Sequence, residues 1–366
     1  MVQTIVVKIG SSSLTSAEGG LNREQVDYFS SELHTLSQAG YQVVLVTSGA
    51  VAAGFRSIGY ASRPKQLHEK QAAAAVGQAL LMQAYQTAFS RFGRGVAQVL
   101  LTRSDFSNRR TIGNALMTIS ELLKHGVIPI INENDTVSVD ELRFGDNDTL
   151  SALVANLVKA HKLIILTDTD GLYTEDPRKN PQATKIERVE QITEELFRIA
   201  GGSGTAVGTG GMRSKIEAAR IAMRGGVSVF IGSSRQPGDL PRAVDGGGQG
   251  TYFDTSMHTL STKKQWVGFH STPRGTIWID AGASRALLVG HKSLLPAGVT
   301  RVDGEFHPGD VVEVAEADGH TIGRGVVNYS SWQLQAAAGL SLEEVQKRID
   351  VHRPEVIHRD EWVSSE

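Results

Sequence analysis

Short apolar runs alternate with longer helical patterns through the first two-thirds of the chain. Ile5–Ile9, Val43–Thr47, Val96–Leu101, Val127–Ile131, Leu163–Thr167 and Val227–Ile231 are rich in Val and Ile and predict buried strands. Between them, Arg23–Gln38, Gln66–Phe92, Arg109–His125, Leu150–Lys159 and Met212–Arg224 carry helical spacing. Continuous apolar strands separated by helices predict an α/β fold, a mostly parallel central sheet sandwiched by helices. In such sheets ligands bind at the carboxyl ends of the strands. Several strands here run straight into polar or glycine-rich loops: K-I-G-S-S-S, T-S-G-A, N-E-N-D-T and T-D-T-D-G.

The pattern changes after about Phe253. Residues 254–273 hold many Ser, Thr, His and Lys residues and no long helical pattern. From Gly275 the chain becomes short strand-like runs, T-I-W-I-D, S-R-A-L-L-V, D-V-V-E-V-A and H-T-I-G-R-G-V-V-N-Y, with turns such as Asp318-Gly319 between them. A helix from Ser341 to Ile349 follows, with Ser341 as cap and Glu344 at the capping-box position. The expected organisation is an α/β domain over 1–253, a linker over 254–273, a small mostly-β domain over 274–352 and a C-terminal tail over 353–366.

Composition narrows the function classes. At 366 residues, 40% hydrophobic and 21% charged, the chain has an ordinary globular balance that argues against long disorder. A formal net charge of -2 gives no bulk attraction to nucleic acid or an anionic membrane. The absence of cysteine excludes disulfides and thiolate chemistry. The N-terminal M-V-Q-T-I-V-V-K-I-G lacks the features of a signal peptide. No apolar run reaches the roughly 18 residues that a membrane helix needs. A cytoplasmic protein is the expectation.

Candidate chemistry sits in the loops. Lys8 interrupts an apolar strand, so it either faces water on an edge strand or meets a partner inside. Gly10 and the serines after it offer small groups and backbone donors, but no Walker A loop is present. T-S-G-A-V-A-A-G places Ser48 and Gly49 at a strand-to-helix junction, where an anion can approach backbone N–H groups; tight helix packing also selects its alanines. G-T-G-G-M-R-S-K ends a run with six glycines between Gly201 and Gly211, suggesting a mobile loop that leads into a helix. Lys215 then falls in a first helical turn, where the macrodipole disfavours a cation and a negative ligand would resolve the conflict. T-D-T-D-G-L-Y-T-E-D-P leaves a buried strand with acids that suit either a nucleoside or solvent. N-E-N-D-T and F-G-D-N-D-T-L-S cluster acids and amides that can cap helices, hold an ammonium group or orient lysines. No zinc-type spacing occurs, so no protein-built metal site is expected, and Mg²⁺ would ride on substrate phosphates.

Taken together, V-V-K-I-G-S-S, T-S-G-A-V, I-N-E-N-D-T, F-G-D-N-D-T-L-S-A, L-T-D-T-D-G-L-Y-T-E-D-P and G-T-G-G-M-R-S-K resemble the amino acid kinase family, in its order. The β-rich module resembles a PUA domain. The resemblance covers nearly the whole chain, and Ser214 stands where the family pattern suggests Thr. It implies ATP-dependent phosphorylation, with Mg²⁺, of the side-chain carboxylate of L-glutamate, the first step toward proline. By match to the motifs, Lys8 and Lys215 would neutralise the transferring phosphoryl group and Asp148 would orient them. Ser48, Asp135 and Asn147 would bind glutamate, with Gly49 beside the phosphates and Asp146 completing the acidic cradle. Lys8, Thr167, Asp168 and the run Thr209, Gly210, Gly211, Met212, Arg213, Ser214 and Lys215 would bind ATP. Proline is the expected inhibitor, a dimer or tetramer the expected assembly, and glutamyl phosphate reductase the expected functional associate. Other kinases of the family, acting on UMP, carbamate, aspartate or N-acetylglutamate, are the nearest rivals. RNA binding by the PUA domain is not supported by charge, since residues 275–366 mix acids and bases without a basic stripe.

Overall fold

The computed structural model describes residues 2–16, 19–137, 147–175, 177, 180, 182–200, 211–255, 271, 273–349, 351 and 353–365. The chain divides into two compact units, residues 1–105 with 110–259, and residues 260–366 with 106–109.

The first unit alternates strand and helix. Its elements are β1 (Thr4–Ile9), α1 (Ser11–Leu14), α2 (Arg23–Gln38), β2 (Gln42–Thr47), α3 (Ala50–Gly54), α4 (Leu67–Ser90), β3 (Val96–Leu101), α5 (Arg103–Ser107), α6 (Arg109–Lys124) and β4 (Ile128–Glu133). There follow α7 (Asn147–Leu157), β5 (Lys162–Leu166), β6 (Leu172–Tyr173), β7 (Lys185–Ile186), β8 (Arg188–Val189), α8 (Glu194–Ala200), α9 (Met212–Arg224), β9 (Ser228–Gly232), α10 (Asp239–Asp245) and β10 (Gly250–Phe253). The main sheet has the order β3-β4-β2-β1-β5-β9-β10-β8. From β3 to β9 every pairing is parallel; only β10 runs against β9. The sequence direction reverses at β1, which has β2 on one side and β5 on the other. That is the switch point where α/β sheets bind ligands.

Strand alternation then sorts the side chains of β1. Ile5, Val7 and Ile9 join the core formed with Val26, Phe29 and Leu33 of α2, Leu81, Tyr85 and Phe89 of α4, and Leu240 of α10. Lys8 therefore points to the opposite face, the one against which α7 packs. Lys8 is 5% exposed on an interior strand, which rules out the edge-strand alternative. Helix α7 is buried on nearly every side, its apolar Leu150 and Ala152–Ala155 packed inside together with the polar Asn147, Asp148, Ser151 and Asn156.

Close helix contact supports the junction after β2. A Cβ on Gly77 of α4 would lie 1.8 Å from the carbonyl oxygen of Ala50, and one on Gly54 would lie 2.0 Å from that of Ala73. Helices α3 and α4 thus touch backbone to backbone, which explains the small residues of T-S-G-A-V-A-A-G. Gly49, at φ +107°, makes the left-handed turn that starts α3, so its glycine is a backbone requirement.

The second unit is a five-stranded sheet in the order β12-β11-β13-β14-β15: β11 (Gly275–Ile279), β12 (Val299–Gly304), β13 (Val311–Glu316), β14 (Thr321–Val327) and β15 (Ile357–Ser364). Helices α11 (Ala281–Leu288), α12 (Ser331–Ala337) and α13 (Leu342–Arg348) accompany it. Two expectations are corrected here. S-R-A-L-L-V forms α11, because the Asp280 carboxylate accepts the Ala283 N–H at 2.7 Å and buried Ser284 and Leu287 have helical spacing. Residues 353–366, set apart as a tail, contain β15, which pairs antiparallel with β14 and buries Ile357 and Trp362. The capping box of α13 forms as expected, with Ser341 and Glu344 bonded reciprocally.

The α3–α4 contact yields a stability prediction. Gly77→Ala should cost about 3 kcal/mol or more through overpacking. Gly113→Ala in α6, where an added Cβ meets nothing within 4 Å, should instead stabilise by about 0.5–1 kcal/mol. Urea midpoints of the two variants test this, and a common sign would contradict the packing account.

Candidate active site

The site is assembled at the carboxyl ends of the parallel strands, where β1, β2, β4 and β5 meet the starts of α3, α7 and α9. Its centre is Asp148, fully buried in the first turn of α7, where the helix dipole favours a carboxylate. Lys8 Nζ lies 2.5 Å from Asp148 Oδ1. Lys215 Nζ donates to Oδ2 at 3.0 Å, and the Ser214 hydroxyl donates to the same oxygen at 3.0 Å. Lys215 is 7% exposed in the first turn of α9, so the cation that the dipole disfavours is balanced by a carboxylate of the protein itself. Burial pushes the Asp148 carboxyl up, but the Lys8 and Lys215 charges and their hydrogen bonds outweigh it and hold the group at about 2. A β-carbon on Gly10 would stand 3.4 Å from Lys8 Nζ, so the glycine keeps that side of the ammonium open.

A second cluster adjoins the first through one peptide bond. Asn147 Nδ2 donates to the carbonyl oxygen of Thr47 at 2.6 Å, to Ser48 Oγ at 2.9 Å and to Asn132 Oδ1 at 2.8 Å. Neighbouring residues of one helix turn thus face two environments: Asp148 binds cations, and Asn147 gathers the ends of β2 and β4. Asp135 follows β4 and is half-buried.

Beyond the lysines, a cavity of about 560 Å³ opens beside the start of α9. Phe197, Arg213, Ser214, Glu217 and Arg220 line it. The guanidinium carbons of Arg213 and Arg220 lie 5.7 and 5.8 Å from the centre of the Phe197 ring. Ser214 lines the cavity and also donates to Asp148.

Lys8, Asp148, Ser214 and Lys215 are brought together, as are Ser48, Gly49 and Asn147. Thr167 and Asp168 follow β5, next to β1; the Thr167 hydroxyl donates to Asp168 Oδ1 at 3.0 Å, and Arg235 donates to the Asp168 carbonyl at 2.5 Å. No bond to the lysines is described for either. Gly211 caps α9, and Met212 and Arg213 begin it. Asp146, Thr209 and Gly210, with the rest of the glycine run, lie outside the described residues. Asn132 and Thr47 open the motifs N-E-N-D-T and T-S-G-A but were not named among the site residues. Their signal was position: each polar side chain ends or nearly ends a buried strand, at the carboxyl end of the sheet where ligands bind.

Among the described residues there is no group of three or more His, Asp or Glu suited to a metal ion. Both carboxylate oxygens of Asp148 already face ammonium groups. The donor set fits a divalent ion that arrives on substrate phosphates.

Two buried cations thus share one carboxylate at the switch point of a parallel α/β sheet, the place where such folds bind ligands. Residues 3–233 match the amino acid kinase family and residues 275–349 match the PUA domain. The chain belongs to the amino acid kinase family. It is 52% identical to the glutamate 5-kinase of Geobacillus kaustophilus over 363 residues, 99% of this chain and 97% of that one. It is 50% identical to the glutamate 5-kinase of Bacillus cereus over 363 residues, 99% of each. The carbamate kinase of Giardia lamblia bound to AMP-PNP shares the fold, with 20% identity, a TM-score of 0.50 and coverage of 70% of this chain and 99% of that one.

The lowered Asp148 pKa sets a pH dependence. A carboxyl that falls from 3.8 to about 2 on folding stabilises the protein above its unfolded value. This stabilisation, about 2 kcal/mol, is lost as pH falls through about 2. Asp148→Asn removes the carboxylate that two buried ammonium groups share and should cost about 3–5 kcal/mol at pH 7. The gap between wild type and variant, read from urea unfolding, should narrow by about 2 kcal/mol between pH 5 and pH 2. A gap constant with pH would contradict the ion triad.

Proposed function

We infer that the chain phosphorylates the side-chain carboxylate of L-glutamate with ATP, giving γ-glutamyl phosphate, as a glutamate 5-kinase. The observation that carries the reading is the joining of Lys8 and Lys215 through Asp148, one residue from an amide that gathers Ser48 and Asn132. The extent of likeness to the glutamate 5-kinases supports the choice of acceptor.

A carboxylate with an ordinary pKa near 4.3 is ionised at neutral pH, so the nucleophile attacks without a general base. Phosphoryl transfer is then mainly positioning and charge stabilisation. Lys8 and Lys215 neutralise the transferring group, and Asp148 keeps both ammonium groups at one place. Mg²⁺, arriving with the nucleotide, would supply further neutralisation of phosphate charge. Ser48, Asp135, Asp146 and Asn147 hold glutamate, the carboxylates favouring its ammonium group, and Gly49 lies beside the phosphates. Thr167, Asp168 and Thr209–Lys215 hold ATP, and the cavity beside Phe197 and Arg213 has the volume of a small-molecule pocket.

Proline inhibits by competing for the glutamate pocket, and the enzyme acts as a homo-oligomer, a dimer or tetramer. The labile acyl phosphate calls for a reductase that consumes it, the expected functional associate. No described helix is long and apolar enough to cross a membrane. A cytoplasmic setting suits ATP and glutamate as substrates.

Hydroxylamine trapping of the acyl phosphate, with and without glutamate, tests the reaction. Glutamate-dependent hydroxamate is expected, and Lys8→Ala should lower its rate by about 10²-fold or more. Product formed without glutamate, or near-normal turnover of Lys8→Ala, would overturn the assignment. Titrated proline should raise the apparent KM for glutamate; unchanged activity would remove this regulation.

A further inference from the structure

Behind Asn147 runs a chain of amides that the mechanism above does not use. Asn147 Nδ2 donates to Asn132 Oδ1 at 2.8 Å, Asn132 Nδ2 to Gln78 Oε1 at 2.9 Å, and Gln78 Nε2 to Gln98 Oε1 at 2.9 Å. The four side chains come from α7, β4, α4 and β3, and they connect head to tail. Asn147, Asn132 and Gln78 are 8%, 2% and 9% exposed, whereas Gln98 is exposed at the edge strand of the sheet.

The two ends of a primary amide are nearly the same shape, so hydrogen-bond partners decide which end points where. Asn132 Oδ1 accepts from Asn147 and also from the Glu133 N–H at 2.9 Å. Turning Asn132 over would break both bonds and set its NH₂ against two donors. Gln78, by accepting from Asn132 Nδ2, holds it the right way round. Asn132 in turn fixes Asn147, whose NH₂ faces three acceptors: the Thr47 carbonyl, Ser48 Oγ and Asn132 Oδ1. The one atom of the series left over is Asn147 Oδ1, which is buried and has no hydrogen-bond partner among the described residues. A buried acceptor without a donor is unfavourable, and the donor class it suits is a cationic N–H.

We propose that Gln78 is a positioning residue for the amino-acid substrate: through Asn132 it locks the Asn147 amide so that its oxygen is kept for the substrate's ammonium group. The inference rests on the glutamate reading above and adds a residue that lies on a different helix from any site motif. It also gives the polar Gln78, set among the alanines of α4, a task beyond packing. Reversed, the Asn147 amide would offer NH₂ to a cation and face its three acceptors with an oxygen.

The test compares full-length variants for the KM of L-glutamate, the KM of ATP, kcat and Tm. Gln78→Met keeps the side-chain length but can neither accept from Asn132 nor donate to Gln98. It should raise the glutamate KM about tenfold and leave ATP KM and kcat within about twofold. Gln78→Glu still accepts from Asn132 and should return the glutamate KM to within about threefold of wild type. Gln98→Met, at the exposed end, should raise it about two- to threefold, and it tests the chain even if Gln78→Met fails to fold. Asn147→Ala serves as the reference. If it raises the glutamate KM while Gln78→Met and Gln98→Met do not, the positioning role is overturned and the glutamate reading stands. If Asn147→Ala leaves the glutamate KM unchanged, the glutamate reading falls and the positioning role with it. A drop in Tm with equal changes in both KM values, not rescued by Gln78→Glu, would mean a purely structural residue.

Discussion

The site depends on one shared carboxylate. Lys8 and Lys215 are both buried, and without Asp148 they would form a like-charge pair inside the protein. Their mutual repulsion would then add to the cost of removing each charge from water. The three partners come from β1, α7 and α9, so this bond network also registers a strand and two helices against one another. The buried charges at the candidate site therefore help specify the first unit.

Much of that arrangement was legible from the chain. The six apolar runs all became strands of the main sheet within a residue or two of their expected limits; five are interior and mostly buried, and β3, at the edge, is only half-buried and exposes Gln98. Helix α9 starts and stops where its pattern does. Lys8 shows where such reasoning stops. A lysine in an apolar strand is compatible with an edge or with an interior partner, and the partner is 140 residues away at Asp148. Spacing along a sequence cannot choose between these; the order of strands does. The same holds for Asn132 and Gln78, whose amides meet only because β4 lies beside α4 in space.

The second unit taught a different lesson. S-R-A-L-L-V has enough apolar residues to suggest a strand, but Asp280 caps it and the buried positions repeat every three residues, so it winds into α11. The strand β15 was hidden by charge: His358, Arg359 and Asp360 are half-buried or exposed, and a charged residue, Glu361, is buried beside Trp362 and Val363. A strand at the edge of a sheet tolerates such polarity, which made it look like a tail. Its neighbour β14 accommodates it through Gly323 and Gly325, where a Cβ would meet Trp362 and Ile357 within 2.5 Å.

The adjacency of Asn147 and Asp148 constrains how this enzyme can change. One turn of a single helix carries both the amide that gathers the ends of β2 and β4 and the carboxylate that holds the two lysines, so any slide or rotation of α7 displaces both at once. The two clusters are geared together at that point. Change in one of them alone must come from residues off the helix, such as those ending β2 and β4, while α7 itself is tethered twice within one turn.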